Sequence, residues 1–223
     1  MSRPGVCLWS ESCAALVWDP AQPEAQRLDE IVQVFQFLAK NPAPAQIDVV
    51  PAYNSLAVYF EPKKLWTPGQ LPSQMTLEYL RNIPFQEGPA FESDGFLEIP
   101  VRYGGQKGPD ITAAAQLLQL TVDQLITLHS EVLYRVAMVG FLPGFPYLAG
   151  LPEALFLPRK STPSPAVPAG SVAIGGKQTG IYSQTSPGGW HIIGWTPLKL
   201  FDVNMAAPAL FKPGQRVKFV PIL

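Results

Sequence analysis

Charge is scarce in this sequence. Of 223 residues, 16 are Lys or Arg and 17 are Asp or Glu, for a formal net charge of −1. So even a balance offers neither a basic stripe for nucleic acid nor a polybasic patch for an anionic membrane. The short pairs Lys63-Lys64 and Arg159-Lys160 do not alter that. Cys7 and Cys13 are the only cysteines, and neither has His or Cys neighbours at metal-ligand spacing. They read as reduced thiols, and no metal centre is expected. With two histidines, any histidine-dependent chemistry must use His129 or His191. No apolar run approaches the ~18 residues that span a bilayer. The opening MSRPGVCLWSESC has no long apolar segment of a signal peptide, so a cytoplasmic, soluble protein is expected. A GxSxG elbow, an HExxH pair and a phosphate-binding P-loop are all missing.

Apolar residues, by contrast, make up 47% of the chain, enough for a large core or two smaller ones. Glycine (18) and proline (25) are plentiful, and they concentrate between Val139 and Trp195. There VGFLPGFPYLAGLPEALFLPRK and GGKQTGIYSQTSPGGWHIIGW set aromatic residues among them. Gly opens conformations barred to other residues, while Pro fixes φ and removes a donor. Such a stretch builds rigid loops, either around a binding surface or simply between barrel strands.

In the first half, Val6–Trp9 and Ala14–Trp18 read as strands. Leu28, Ile31, Val32, Phe35 and Leu38 follow the spacing of one buried helix face, and Pro42 and Pro44 end that helix near Lys40. Ile47–Val50 and Ser55–Phe60 read as further strands. A second helix between Pro68 and Asn82 is expected to turn Leu71, Met75, Leu77 and Leu80 partly inward. This order suggests a small α+β sandwich of the split βαβ, ferredoxin-like kind, with one strand not identified. The irregular segment Ile83–Asp94 marks a boundary, giving domains at 1–92 and 93–223.

The second half opens with a strand over Gly95–Tyr103. Asp110 stands where the N-cap of a helix over Ile111–Leu118 belongs. Thr121 and Gln124 fit a capping box that starts a helix through Ser130. Val132–Phe141 reads as an apolar strand buried on both faces. Short strands follow at Ser171–Ile174, Gly180–Tyr182, Trp190–Ile193, Leu198–Phe201 and Val217–Pro221, the pattern of a closed or nearly closed β-barrel.

Several residues carry possible chemistry. His129, near a helix C-terminus, could cap carbonyls or act as acid, base or ligand. His191 fits a structural place beside Trp190. Asp110 could cap a helix or meet a ligand between the glycines of Gly104-Gly105 and Gly108. Gln178-Thr179-Gly180 and Ser186-Pro187-Gly188-Gly189 offer amides, hydroxyls and backbone N–H groups to a carboxylate or an oxyanion, or are ordinary turns.

The runs PVRYGGQKGPDI, LHSEVLYRVAMVGFLPGFPYLAGLPEALFLPRK and VPAGSVAIGGKQTGIYSQTSPGGWHIIGWTPLKLFD, with AYNSLAVYFEP and PALFKPGQRVKFVPI, resemble a carboxyltransferase-related family. It contains the B subunit of bacterial 5-oxoprolinase, a sporulation histidine-kinase inhibitor, allophanate hydrolase subunit 1 and a domain of urea carboxylase. The resemblance covers essentially the whole chain. It implies a small α+β domain followed by a cyclophilin-like β-barrel. It further implies a component that works with 5-oxoprolinase subunits C and A in the ATP-dependent opening of 5-oxo-L-proline to L-glutamate, with ATP handled by the complex and this chain inactive alone. The alternatives it implies are a histidine-kinase inhibitor and a subunit of a urea or allophanate-type amidolyase.

Carried over position by position, the resemblance marks His129, Asp110 and Gln178 as candidate catalytic residues. It places Tyr103, Gly104, Gly105, Pro109 and Asp110 at one edge of the barrel. Phe141, Pro143, Gly144, Phe145 and Tyr147 match GFxPGFxYL, while Thr179, Gly180, Tyr182, Ser186, Gly188, Gly189 and Trp190 match QTGIY and SPGGW. Of these, Gln178 and Thr179 are expected as polar ligands, and Phe141, Phe145 and Trp190 as walls. Two positions depart from the resemblance: Ser164 and Trp195 stand where a cation is common.

Overall fold

The computed structural model describes residues 3–84 and 95–223. Its chain divides into two compact units, 1–92 and 93–223. The boundary expected within 83–94 therefore falls mostly on residues outside those described.

The first unit runs β1 (Gly5–Ser10), β2 (Cys13–Val17), α1 (Glu24–Lys40), β3 (Gln46–Pro51), β4 (Ser55–Phe60) and α2 (Pro72–Arg81). Its sheet has the order β1-β2-β4-β3 with every neighbouring pair antiparallel. So β2 and β3 run parallel with β4 between them, and α1 connects them. Leu28, Ile31, Val32, Val34 and Leu38 form the buried face of α1, each worth about 1.5–3 kcal/mol of burial. Helix α2 departs from expectation. Leu80 is buried and Leu77 half-buried as expected, but Leu71 and Met75 are exposed, and Ser73 and Thr76 are buried in their place. Pro72 starts the helix, one residue after Leu71, and the helical phase set from there turns the Ser73 line inward. Cys7 is exposed on β1, Cys13 is buried on β2, and both are free thiols.

The second unit contains β5 (Leu97–Tyr103), α3 (Ile111–Leu117), α4 (Val122–Ser130), β6 (Leu133–Val139), β7 (Pro146–Ala149), β8 (Ser164–Val167), β9 (Ser171–Gly175), β10 (Gln178–Ile181), β11 (Ser186–Gly188), β12 (His191–Trp195) and β13 (Arg216–Pro221). Seven strands close a barrel in the order β10-β7-β6-β13-β5-β12-β9, and β8 with β11 forms a separate ribbon. The pair β13–β5 is parallel. Ile99, Val101, Val136, Leu148, Val172, Ile174, Ile193, Val217 and Phe219 fill the core. The Thr121–Gln124 capping box forms as read, with the Thr121 hydroxyl accepting from the Gln124 N–H and the Gln124 side chain accepting from the Thr121 N–H.

Two of the strands read from the sequence differ in the structure, and three short strands were not read at all. β6 stops at Val139, because Gly140–Gly144 turns back and places Phe141 at φ 70°. Leu198–Phe201 is not a ladder strand. Leu200 O accepts from Leu210 N, and Asp202 N donates to Pro208 O, so this loop closes on itself. The short strands β7, β8 and β11 lie in Gly/Pro-dense sequence, which hides their pairing.

Candidate functional site

The residues marked in the sequence fall into three places on the second unit. The first is the barrel interior. Tyr103 Oη lies 2.7 Å from His129 Nδ1, and His129 Nε2 lies 2.9 Å from Thr179 Oγ1. Thr179 Oγ1 also donates to Ala173 O at 3.0 Å. A carbonyl only accepts, so the threonine proton is committed and Oγ1 accepts from Nε2–H. Nδ1 is then left to accept from the tyrosine. One neutral tautomer satisfies the whole chain. Phe219 stacks on the imidazole at 4.4 Å, and Tyr134 Oη donates to His129 O at 3.0 Å. Burial drives the His129 pKa from 6.5 to about 3 and holds the Tyr103 hydroxyl protonated well above its ordinary range, with Tyr134 adding to the effect. His129 is fully buried with both nitrogens engaged. It caps no helix carbonyl and presents no free atom to a substrate; it ties α4 to β5 and β10.

The second place is an aromatic layer outside the barrel wall. Phe145, Tyr182 and Trp190 are buried there with Val167, Ala173 and Ile192. The Phe145 ring meets Tyr182 at 5.3 Å and Trp190 at 5.7 Å, both edge to face, and Tyr147 meets Trp190 at 5.8 Å. Two glycines make room. A Cβ on Gly175 would lie 2.5 Å from the Trp190 indole, and one on Gly188 would lie 2.2 Å from Tyr182 Oη. Gly180 backs onto Pro146 O and the Phe145 ring, while Gly144 backs onto Leu200 O and Phe201 Cβ. Phe141, 61% exposed, adds an outer edge at 5.5 Å from Phe145, with Pro143 in the same turn. Ser186 and Gly188 belong to the ribbon strand β11, and Gly189 follows it. Arg159 places its guanidinium 5.9 Å from the Trp190 ring centroid. Burial raises the Tyr147 and Tyr182 pKa values, and Arg159 partly offsets this. Gln178 is half-buried on β10 opposite Gly175 and lines neither rim pocket described next.

The third place is the rim carrying Asp110. Its carboxylate does not cap α3. Instead Oδ2 accepts from Lys160 Nζ at 2.9 Å and from Ile192 N at 2.8 Å, while Asp110 N donates to Ile192 O at 2.9 Å. Two hydrogen bonds to β12 outweigh one helix cap and pin the start of α3 to the barrel. Lys160 also donates to Ser164 Oγ at 2.9 Å. The Lys160 and Asp110 side chains are 19% and 25% exposed. One pocket of about 220 Å³ is lined by Lys107, Asp110, Ser164, Val167, Ser171 and Trp195, among others. A second, of about 640 Å³, lies between the end of α3 and the segment Phe156–Thr162, with His191 in its wall. His191 Nε2 donates to Pro158 O at 2.9 Å. His191 Nδ1 is buried without a partner among the described residues, a state that costs about 1–3 kcal/mol.

Gly104, at φ 71°, does not open a phosphate cradle. Gly104 N donates to Ile193 O, Gly108 N to Gly104 O and Asp110 N to Ile192 O, so these amides are spent inside the fold. The residues of this loop do not fit the triphosphate of ATP.

Sequence reasoning missed Lys107 and Lys160 as site residues. The signal for Lys160 was its place in the PRK run of the Gly/Pro-rich stretch, and for Lys107 its place among the glycines before Asp110. Ser164 and Trp195, marked from sequence as departures, line the same pocket.

A small antiparallel α+β unit, followed by a closed barrel with a charged rim beside an aromatic layer, defines the class of this protein. The chain belongs to the family described as carboxyltransferase domain, subdomain C and D, which it matches over residues 7–211. It is 42% identical over 181 residues to a protein of Escherichia coli named as the B subunit of 5-oxoprolinase, covering 80% of this chain and 79% of that one. A Haemophilus influenzae protein of the same name is 55% identical over 124 residues, covering 56% of this chain and 58% of the relative. The crystal structure of TTHA0988 superposes with a TM-score of 0.79 at 35% identity, covering 95% of this chain and 40% of that one. This chain therefore spans little more than half of the Haemophilus relative and less than half of TTHA0988.

Proposed function

We propose that this chain is the B subunit of an ATP-dependent 5-oxoprolinase, contributing a cyclophilin-like barrel to a complex with subunits C and A. The likeness that carries the reading is the match, over four fifths of both chains, to a protein named as that subunit in Escherichia coli. The first unit is read as ferredoxin-like, with its fourth strand supplied at the amino-terminal end as β1. The reaction opens a lactam, and an unactivated amide is a poor electrophile. Transfer of the γ-phosphoryl group of ATP to the lactam oxygen releases ADP and makes the ring carbon open to water. Water then adds at that carbon and the C–N bond breaks with the nitrogen taking a proton, which leaves an acyl phosphate; a second water hydrolyses it, releasing phosphate and giving L-glutamate. Because the Gly104, Gly108 and Asp110 amides are spent inside the fold, the nucleotide is assigned to another subunit and the chain alone is read as inactive.

The test is co-expression with candidate partner subunits in the cytoplasm of a bacterial host, followed by an assay of 5-oxo-L-proline-dependent ADP release. The assembled complex is expected to release ADP and form glutamate together, while the isolated chain does neither. A well-formed complex that releases no ADP, while the chain inhibits autophosphorylation of a sensor histidine kinase, would reverse the assignment. Lactam hydrolysis by the isolated chain would refute the division of labour.

A further inference from the structure

The smaller rim pocket holds an arrangement that the fold itself does not use. Asp110 spends only Oδ2 on the protein, on Lys160 and on Ile192 N; no bond to its other oxygen is found among the described residues. Lys107, three residues earlier in the same loop, holds its ammonium 4.1 Å from the centroid of the Trp195 ring. No carboxylate pairs with it among the described residues. Both side chains line the same pocket of about 220 Å³, together with Trp195, Ser164 and Val167. A free acceptor, a free cation and an indole in so small a space form a recognition set. Each element asks for a different part of a ligand: an N–H, an anion and a short apolar body.

We propose that this pocket is the substrate subsite, and that it takes a small cyclic amide bearing a carboxylate. This deepens the 5-oxoprolinase reading and rests on it. The free oxygen of Asp110 accepts the ring N–H. Lys107 holds the ligand carboxylate, and Trp195 with Val167 covers the ring methylenes. Lys160 keeps Asp110 turned toward the pocket while remaining paired itself, so ligand binding does not require that ion pair to break. The carboxylate of Asp110 also selects against a second anion at its own end, which fixes the direction in which the ligand enters. Lys107 and Trp195 are thus positioning and specificity residues; no bond-making step is assigned to them.

The experiment uses the assembled complex with Lys107→Met and Lys107→Arg, and compares 5-oxo-L-proline with its carboxamide and with its N-methyl lactam. Lys107 is exposed on a short helical turn, so both variants are expected to fold. Wild type is expected to prefer the carboxylate over the carboxamide, and the N–H lactam over the N-methyl lactam. Lys107→Met should raise KM for 5-oxo-L-proline about tenfold or more, as loss of a charge-assisted contact implies, with kcat changed much less. It should abolish the preference for carboxylate while leaving the preference for N–H intact, and Lys107→Arg should restore most of the loss. A complex that turns over 5-oxo-L-proline, but whose KM and preferences do not respond to Lys107→Met, overturns the subsite and leaves the 5-oxoprolinase reading standing. If the wild-type complex ignores 5-oxo-L-proline, that reading fails. The subsite is then decided by calorimetric titration of the chain with a panel of four- to six-membered cyclic amide carboxylates. Binding that Lys107→Met removes supports the subsite, and absence of binding by every member overturns it.

Discussion

Lys160 reaches Asp110 at 2.9 Å from fifty residues further along the chain, and the same Asp110 oxygen accepts the Ile192 N–H at 2.8 Å. One carboxylate thus joins the start of α3, the Arg159–Lys160 segment and strand β12. The exposure of the pair limits the ionic part to about 1 kcal/mol or less; the bond to the strand amide is the larger part. Asp110→Asn, which keeps an acceptor for Ile192 N, should lower stability by about 1 kcal/mol. Asp110→Ala, which leaves that amide without an acceptor, should lower it by about 2–3 kcal/mol. Urea denaturation of the two variants checks this. Equal losses would mean that the strand bond contributes nothing.

The Tyr103–His129–Thr179–Ala173 chain admits one proton arrangement, and breaking either end strands a buried polar atom. Thr179→Val removes the acceptor of His129 Nε2–H, and Tyr103→Phe removes the donor to Nδ1. Each should cost about 1–3 kcal/mol. The two losses should not add, because both act through the same ring. With Thr179 already replaced, the ring has lost the bond that fixes its tautomer and orientation, so the bond to Tyr103 is weakened and the second substitution should cost less. A double-mutant cycle read by chemical denaturation measures the coupling; strict additivity would argue against a single connected chain.

Much of this was legible in the sequence wherever a local rule decided the outcome. The Thr121–Gln124 capping box, the buried stripe of α1 and the strands flanking short polar turns all follow from spacing within one segment. The closed barrel followed from the density of short strands between Gly/Pro turns. What stayed hidden depends on distant partners. Asp110 sits where a helix cap belongs, and only the approach of β12 and Lys160 shows that its carboxylate is used elsewhere. His129 looked available because helix position says nothing about the Tyr103 and Thr179 side chains that enclose it. Lys107 drew no attention, because a lone lysine in a loop has no periodicity to mark it, and Lys160 was weighed only as half of a basic pair too short for a polyanion. The inward face of α2 was read correctly at Leu77 and Leu80 but misjudged at its start, because Leu71 is apolar but precedes the helix, so its position carries no helical phase.

Gly175 leaves room for the Trp190 indole, which would lie 2.5 Å from any Cβ there. Gly175→Ala therefore cannot be absorbed without moving the ring or the β9–β10 hairpin. Overpacking of this kind typically costs about 1–3 kcal/mol. Trp190 also holds edge contacts with Phe145 and Tyr147, so its displacement should loosen the whole aromatic layer. The variant is expected to melt earlier and to show an altered near-ultraviolet circular dichroism spectrum. A variant with unchanged melting and unchanged aromatic signal would show that the layer tolerates the extra methyl.

Acid should weaken this fold through His129. Its folded-state pKa is depressed from 6.5 to about 3 by burial, so between those values the unfolded chain binds a proton that the folded chain refuses. Stability from this group is therefore fully present above pH 6.5 and declines as pH falls, by up to about 1.4 kcal/mol per unit, until the folded ring itself titrates near 3. His129→Gln removes the titrating group, so its stability should fall less steeply than that of wild type between neutral pH and pH about 4.5, whatever its cost at neutral pH. Should that variant fail to fold, the wild-type ring resonances provide the same test: in the folded protein they should hold the neutral, Nε2-protonated positions throughout that range. A His129 signal that titrates near its ordinary value in the folded protein would mean that the chain from Tyr103 to Ala173 opens to water.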